Sequence, residues 1–179
     1  MILLAGFASL FVGNAFQAQM PEYAEDLGTD PEGFGYSALL AANAAGAVIG
    51  GLLLESGGLL QPAVHTAILC AILWCFAIGG FAFSTSYPLA LVLLLLAGFL
   101  NLAFYSMAQT LVQLEAPPQI RGRLIGLFHM ASLGLRAFSG VTVGVVGGLI
   151  GVHWSLGLSA MILLAVTIGL YAFTVATAD

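Results

Sequence analysis

Glu115–Gly151 reads EAPPQIRGRLIGLFHMASLGLRAFSGVTVGVVGGLIG and contains all three basic residues of the chain, Arg121, Arg123 and Arg136. The Pro117-Pro118 pair ends the helix before it, because proline has no N–H to donate and its ring collides with the preceding turn. Arg121 and Arg123 flank Gly122, and the apolar run behind them exceeds the roughly 20 residues that a helix needs to cross a bilayer. Arg136 falls about 14 residues into that run, roughly 20 Å along a helix and beyond comfortable reach of either interface. A guanidinium at such a depth costs roughly 2.5 to 3.5 kcal/mol on insertion scales, so it must face a cavity or a partner: an anion, backbone carbonyls or an acid. At helical spacing, His129, Ser132 and Ser139 fall with Arg136 on one polar stripe.

Outward from this segment, composition sets the class. Of 179 residues, 61% are hydrophobic and 6% charged, and the mean hydropathy is +1.09. Such a chain lacks the polar surface to stay in water and belongs in a lipid bilayer. Five of its eight acids, Glu22, Glu25, Asp26, Asp30 and Glu32, fall in the connector Pro21–Gly33, which reads as a solvated loop. Three arginines and no lysine leave no electrostatic footprint for nucleic acid. Cys70 and Cys75 sit inside an apolar run without C-x-x-C spacing. His65, His129 and His153 are not spaced as ligands, so no metal site is expected. No phosphate-cradling loop is present, and no cofactor is expected. The apolar run begins at Ile2 without a basic lead, unlike a signal peptide.

Six apolar runs alternate with short polar breaks, at about 2–20, 34–54, 62–83, 88–114, 122–151 and 155–175. Backbone groups in hydrocarbon must be paired internally, so these runs predict an all-α, polytopic bundle of six spans forming one unit over 1–179. Arg121 and Arg123 put the loop between the fourth and fifth spans in the cytoplasm. Alternation then places both termini inside and the acidic connector outside.

An internal repeat organises the spans. Leu3–Phe7, LLAGF, recurs as Leu95–Phe99, 92 residues later, and Leu10/Leu102 and Gln17/Gln109 match at the same offset. Gly46-x-x-x-Gly50 and Gly140-x-x-x-Gly144 match at 94. Three spans separate the mates, so the second copy crosses in the opposite sense, a 3+3 inverted repeat. Ladders of small residues (Ala42, Gly46, Gly50; Gly140, Gly144, Gly148) assign the second and fifth spans to packed interfaces. The third and sixth, apolar all round, are expected to face lipid. The first and fourth carry Asn14, Gln17, Asn101 and Gln109, with Asn101, Tyr105 and Gln109 at i, i+4 and i+8. An unpaired amide in hydrocarbon is costly, so these faces turn toward neighbouring helices or a water-filled cavity.

The element Pro117-x-x-x-Arg121-Gly122-Arg123-x-x-Gly126, the glycine ladder behind it, the repeat, and Gly51, Leu53, Glu55 and Gly58 spaced as G-x-L-x-D-x-x-G together resemble the C-terminal half of the major facilitator superfamily. The resemblance covers most of the chain. It implies half of a twelve-span fold in which the first, second and third spans of each repeat line the cavity, form the domain interface and lie at the periphery. It further implies a secondary active transporter of a small, amphipathic solute, with efflux favoured over uptake as in drug and siderophore exporters. The implied partner is a missing N-terminal six-helix half or a second six-helix unit; Met1 abutting the first run fits that expectation. Two features depart from the family: Ser56, Leu59 and Leu60 stand where its loop motif has basic residues, and the first half is absent.

Candidate cavity residues are therefore Asn14, Gln17, Asn101, Tyr105, Gln109, His129 and Arg136, with Glu55, Arg121 and Arg123 as a cytoplasmic loop motif. No acid lies mid-membrane, so proton coupling would fall to the second half or to His129. Catalysis is not expected, since Gly157-Leu158-Ser159-Ala160 lacks the final glycine of the intramembrane-protease element. The alternative function is a non-transporting six-helix fragment or scaffold in the cell membrane.

Overall fold

The computed structural model describes residues 1–13, 15–30, 32–57 and 63–176, and within them every regular element is helical. The first span consists of α1 (Ile2–Phe11), α2 (Ala15–Ala18) and α3 (Met20–Asp26); the second is α4 (Phe34–Gly57), the third α5 (Val64–Ala82) and the fourth α6 (Tyr87–Glu115). The fifth joins α7 (Arg121–His129), α8 (Arg136–Ser139) and α9 (Val146–Ile150) through two π-helical stretches, Met130–Gly134 and Gly140–Val145; the sixth is α10 (Val152–Ala176). Five spans are long and apolar enough to cross a membrane, and the first is a sixth crossing when its two parts, bent by 60°, count as one. Prolines set the limits of α6. Pro88 lies in its first turn, and Ala116 becomes extended (ψ 124°) ahead of Pro117, as a residue before proline must.

Two expectations fail in the first span. A continuous helix over 2–20 is interrupted at Val12-Gly13, where Gly13 has φ 47°, a left-handed conformation that glycine enters at little cost. A side chain at this position would collide with the Ser139 side chain and the Ser9 carbonyl. Asn14 lies outside the described residues. Nor is the acidic connector wholly a loop. Pro21 and Glu22 open α3, and a missing N–H and a carboxylate both suit a first helical turn, so Glu22, Glu25 and Asp26 are helical.

The bundle is organised around α6. On either side of it pack α4 and α5, α10 pairs with α5, and the fifth span lies against α1, α2 and α10. Glycine allows the closest of these approaches. A Cβ on Gly46 would overlap the Leu95 carbonyl, one on Gly98 would overlap the Asn43 carbonyl, and Gly50 sits against Phe99. Gly46 and Gly50 thus serve a contact inside this chain rather than one with another unit. Nothing lies within 4 Å of a Cβ built on Gly140, Gly144 or Gly148.

The third span corrects a further expectation. Instead of facing lipid all round, α5 is the most enclosed crossing, with Ala67, Ala71, Trp74, Ile78 and Phe81 buried. Only one strip of it, including Leu69, Leu73 and Phe76, points outward. A helix apolar on every side suits lipid and protein interior equally, so its hydropathy does not distinguish them.

At the end of the bundle where α3, α5 and α10 meet, His153 is a staple. Its Nδ1 is 2.5 Å from the Ala82 carbonyl and its Nε2 2.8 Å from the Asp26 carboxylate. Behind it the buried Tyr23 packs its ring, tilted by 37°, against Phe81 and donates its hydroxyl to the Val152 carbonyl at 3.1 Å. The Asp26 side chain is 50% exposed, so Asp26→Ala is expected to lower stability by no more than about 1 kcal/mol. A much larger drop on thermal denaturation would make the ion pair, and not the rings behind it, the main tie.

Candidate functional site

Polar side chains converge where α1, α6 and the fifth span meet. Ser9 of α1 is fully buried (0% exposed), which requires its hydroxyl to find partners. It lies 2.6 Å from the Tyr105 Oη of α6 and 2.5 Å from the Ser132 carbonyl of the fifth span. A carbonyl only accepts, so Ser9 donates to Ser132 and accepts from Tyr105. Tyr105 also approaches the Ala5 carbonyl at 3.3 Å. The guanidinium of Arg136 lies near the same phenol and interacts with it electrostatically. Donation therefore runs from Tyr105 to Ser9 to the Ser132 carbonyl, linking three spans. The Trp74 and Phe104 rings meet Tyr105 edge-on, at 6.4 and 5.0 Å, and fix its orientation.

Arg136 stands between the two π-helical stretches. In a π turn the N–H reaches the carbonyl five residues back, so side chains leave the helix at angles that α-helical spacing does not give. The single stripe His129, Ser132, Arg136, Ser139 is broken up accordingly: Ser132 and Ser139 are buried, Arg136 half-buried and His129 exposed. Ser139 donates to the Arg136 carbonyl at 2.7 Å, and Thr142 donates to the Leu10 carbonyl of α1 at 2.6 Å.

A second polar group lies beyond the Gly13 break. The Gln17 amide is 3.4 Å from the Asn43 Oδ1 of α4, and the Asn43 amide donates to the Leu94 carbonyl at 3.3 Å. Gln19 donates to the Val143 carbonyl at 3.1 Å, while its own Oε1 is buried without a partner. Asn101, Tyr105 and Gln109 share the unbroken α6, and all three are half-buried. Three participants, Ser9, Gln19 and Asn43, were not among the candidates from sequence. Asn43 and Gln19 carry the same signal as Gln17, an amide among apolar residues; Ser9 carries none, because serine is an ordinary packing residue in membrane helices.

The loop residues Glu55, Arg121 and Arg123 are exposed, and among the described residues no ion pair joins them. Arg121 instead donates to the Ala116 carbonyl at 3.3 and 3.4 Å, closing the turn after α6. Gly58 of that motif lies outside the described residues. A concavity of about 570 Å³ opens among Met1, Val64, Glu115 and Leu124 at the end of the bundle away from α3, and has none of the mid-span polar set in its walls. An apolar groove of about 520 Å³ runs between α4 and α6.

Apolar helices that cross the bilayer repeatedly and concentrate their amides and one arginine on a few spans define a multi-pass membrane protein of transporter type. Residues 2–178 match the family model described as Major Facilitator Superfamily, and the chain belongs to that superfamily. No curated protein and no solved structure matches it.

Proposed function

We propose that the chain is one six-span half of a secondary transporter, a 3+3 inverted repeat that exports a small amphipathic solute by rocking against a second six-span unit. The observation that carries this reading is the partly open polar set on the first, fourth and fifth spans: Gln17, Asn101, Tyr105, Gln109 and Arg136 remain half-buried in a chain whose spans are otherwise mainly apolar. Helix pairing supports the repeat. The packing of α4 on α6 and of the fifth span on α1, with α5 paired to α10, is the pattern expected if first and fourth, second and fifth, and third and sixth spans correspond. The open surroundings of Gly140, Gly144 and Gly148 support a second unit on that side. The Arg121/Arg123 loop and both termini are assigned to the cytoplasm and α3 to the outside.

A non-transporting scaffold is the second reading, favoured by the lack of an acid between the ends of the spans. Cysteine labelling separates the two. In protein without Cys70 and Cys75, Gly122→Cys and Glu32→Cys are expected to react with an impermeant maleimide from opposite sides of sealed vesicles. Labelling from the same side would overturn the six-span count. Gln17→Cys and Gln109→Cys, toward opposite ends of the polar set, are expected to change labelling rate in opposite directions under an imposed proton or sodium gradient. Rates that stay constant under every gradient favour the scaffold.

A further inference from the structure

Arg136 stands beside the donor chain through Tyr105 with unused hydrogen-bonding capacity, and that surplus says what it is for. A guanidinium has five N–H donors and no acceptor. The Tyr105 phenol lies beside the guanidinium, and among the described residues the Arg136 Nε is enclosed without any hydrogen-bond partner. Among the described residues no acid neutralises it either. Glu55 and Glu115 close the ends of α4 and α6, Asp26 is engaged by His153, Asp179 ends the sequence outside the described residues, and the remaining acids lie between Glu22 and Glu32. Tyr105 does not compete for an anion, because its proton is committed to Ser9; standing beside the guanidinium, it acts as a positioning residue. The side chain stays half-buried, so the fork is neither sealed in the core nor released to bulk solvent.

We infer that Arg136 is an oxyanion site, and that the solute taken by this half carries a carboxylate or a similar oxyanion on an apolar body. The inference rests on the transport reading and deepens it. A planar fork with two or more unclaimed N–H groups matches a carboxylate in bidentate fashion, which an ammonium cannot do. On α6 the half-buried amides Asn101 and Gln109 stand four residues either side of Tyr105, and the spans around them are mainly apolar, which suits a hydrocarbon tail. Anionic lipid headgroups present the same chemistry and are the competing source.

The test uses Trp74, whose ring contacts Tyr105, as the reporter, with Trp154→Phe removing the chain's other tryptophan. The protein in phosphatidylcholine vesicles is titrated with decanoate and, separately, with decyltrimethylammonium. Decanoate is expected to change Trp74 emission saturably, with the cation giving no such change. Arg136→Gln is expected to weaken decanoate binding by about tenfold or more, Arg136→Lys to keep the preference for anion over cation at lower affinity, and Tyr105→Phe to weaken binding with the charge intact. In phosphatidylglycerol vesicles, an Arg136-dependent shift present before titration that blocks decanoate supports the site and assigns its anion to lipid. Equal responses to the two amphiphiles, or wild-type decanoate binding by Arg136→Gln, overturns the inference. If Arg136→Gln does not fold, Arg136→Lys that binds both amphiphiles alike overturns it too. Gradient-driven flux of a cation without decanoate binding would sink the anion assignment alone, whereas decanoate binding with static cysteine labelling would sink transport alone.

Discussion

Gly46→Val is expected to separate α4 from α6 and to leave little folded protein. The Cβ would occupy the space of the Leu95 carbonyl oxygen, so the conflict is with backbone and no rotamer change relieves it. Overpacking a core with extra methyl groups costs about 1 to 3 kcal/mol when side chains can shift; a clash between two helix backbones should exceed about 3 kcal/mol. Gly98→Val meets the Asn43 carbonyl across the same seam and is expected to do comparable damage. Because both variants push the same helices apart, their combined cost should fall well short of the sum. Gly144→Val is the control, since open space surrounds that position. Size-exclusion profiles and thermal denaturation in detergent would show Gly46→Val collapsed and Gly144→Val near wild type. A Gly46→Val protein as stable as wild type would mean that α4 and α6 do not approach as closely as described.

The second large effect falls at Gly13→Ala. Alanine in the left-handed region costs about 1 to 2 kcal/mol, and its methyl would strike Ser139 and the Ser9 carbonyl, adding about 1 to 3 kcal/mol. The expected loss is therefore about 2 to 5 kcal/mol. The alternative predicts the opposite sign: in a continuous α-helix, Gly→Ala gains up to about 1 kcal/mol. A thermal midpoint that rises would remove the break from the first span. Adding Ser139→Gly to Gly13→Ala takes away the side-chain collision and is expected to recover part of the loss, leaving the conformational share.

The sequence revealed the crossings well, because length and hydropathy are nearly sufficient where every backbone group must be paired within its own helix. The Pro117-Pro118 stop and the Arg121/Arg123 loop were equally plain. What hydropathy does not carry is direction. In α5 it reads the same on the strip that meets lipid and on the side that encloses Trp74. Glycine was ambiguous for a related reason: Gly46 admits a neighbouring helix, Gly13 turns the chain through positive φ, and Gly144 touches nothing nearby, yet each is a glycine in an apolar run. For the candidate site, amides and the arginine stood out because they are expensive in lipid, whereas Ser9, the link between Tyr105 and the fifth span, is a small hydroxyl of a kind common in such helices. The stripe through His129 and Arg136 was drawn on 3.6 residues per turn, a period that the π stretches do not keep.

Those π stretches also bear on how the chain fits its bilayer. As a regular α-helix the 30 residues of Arg121–Ile150 would be about 45 Å long, against a hydrocarbon layer of about 30 Å. A helix too long for its membrane tilts, kinks or thickens the lipid around it. Wider turns over Met130–Gly134 and Gly140–Val145 spend residues on girth instead of length, so the fifth span overhangs less than its residue count implies. The depth at which Arg136 sits is consequently set by how the backbone is wound on either side of it as well as by how the span leans.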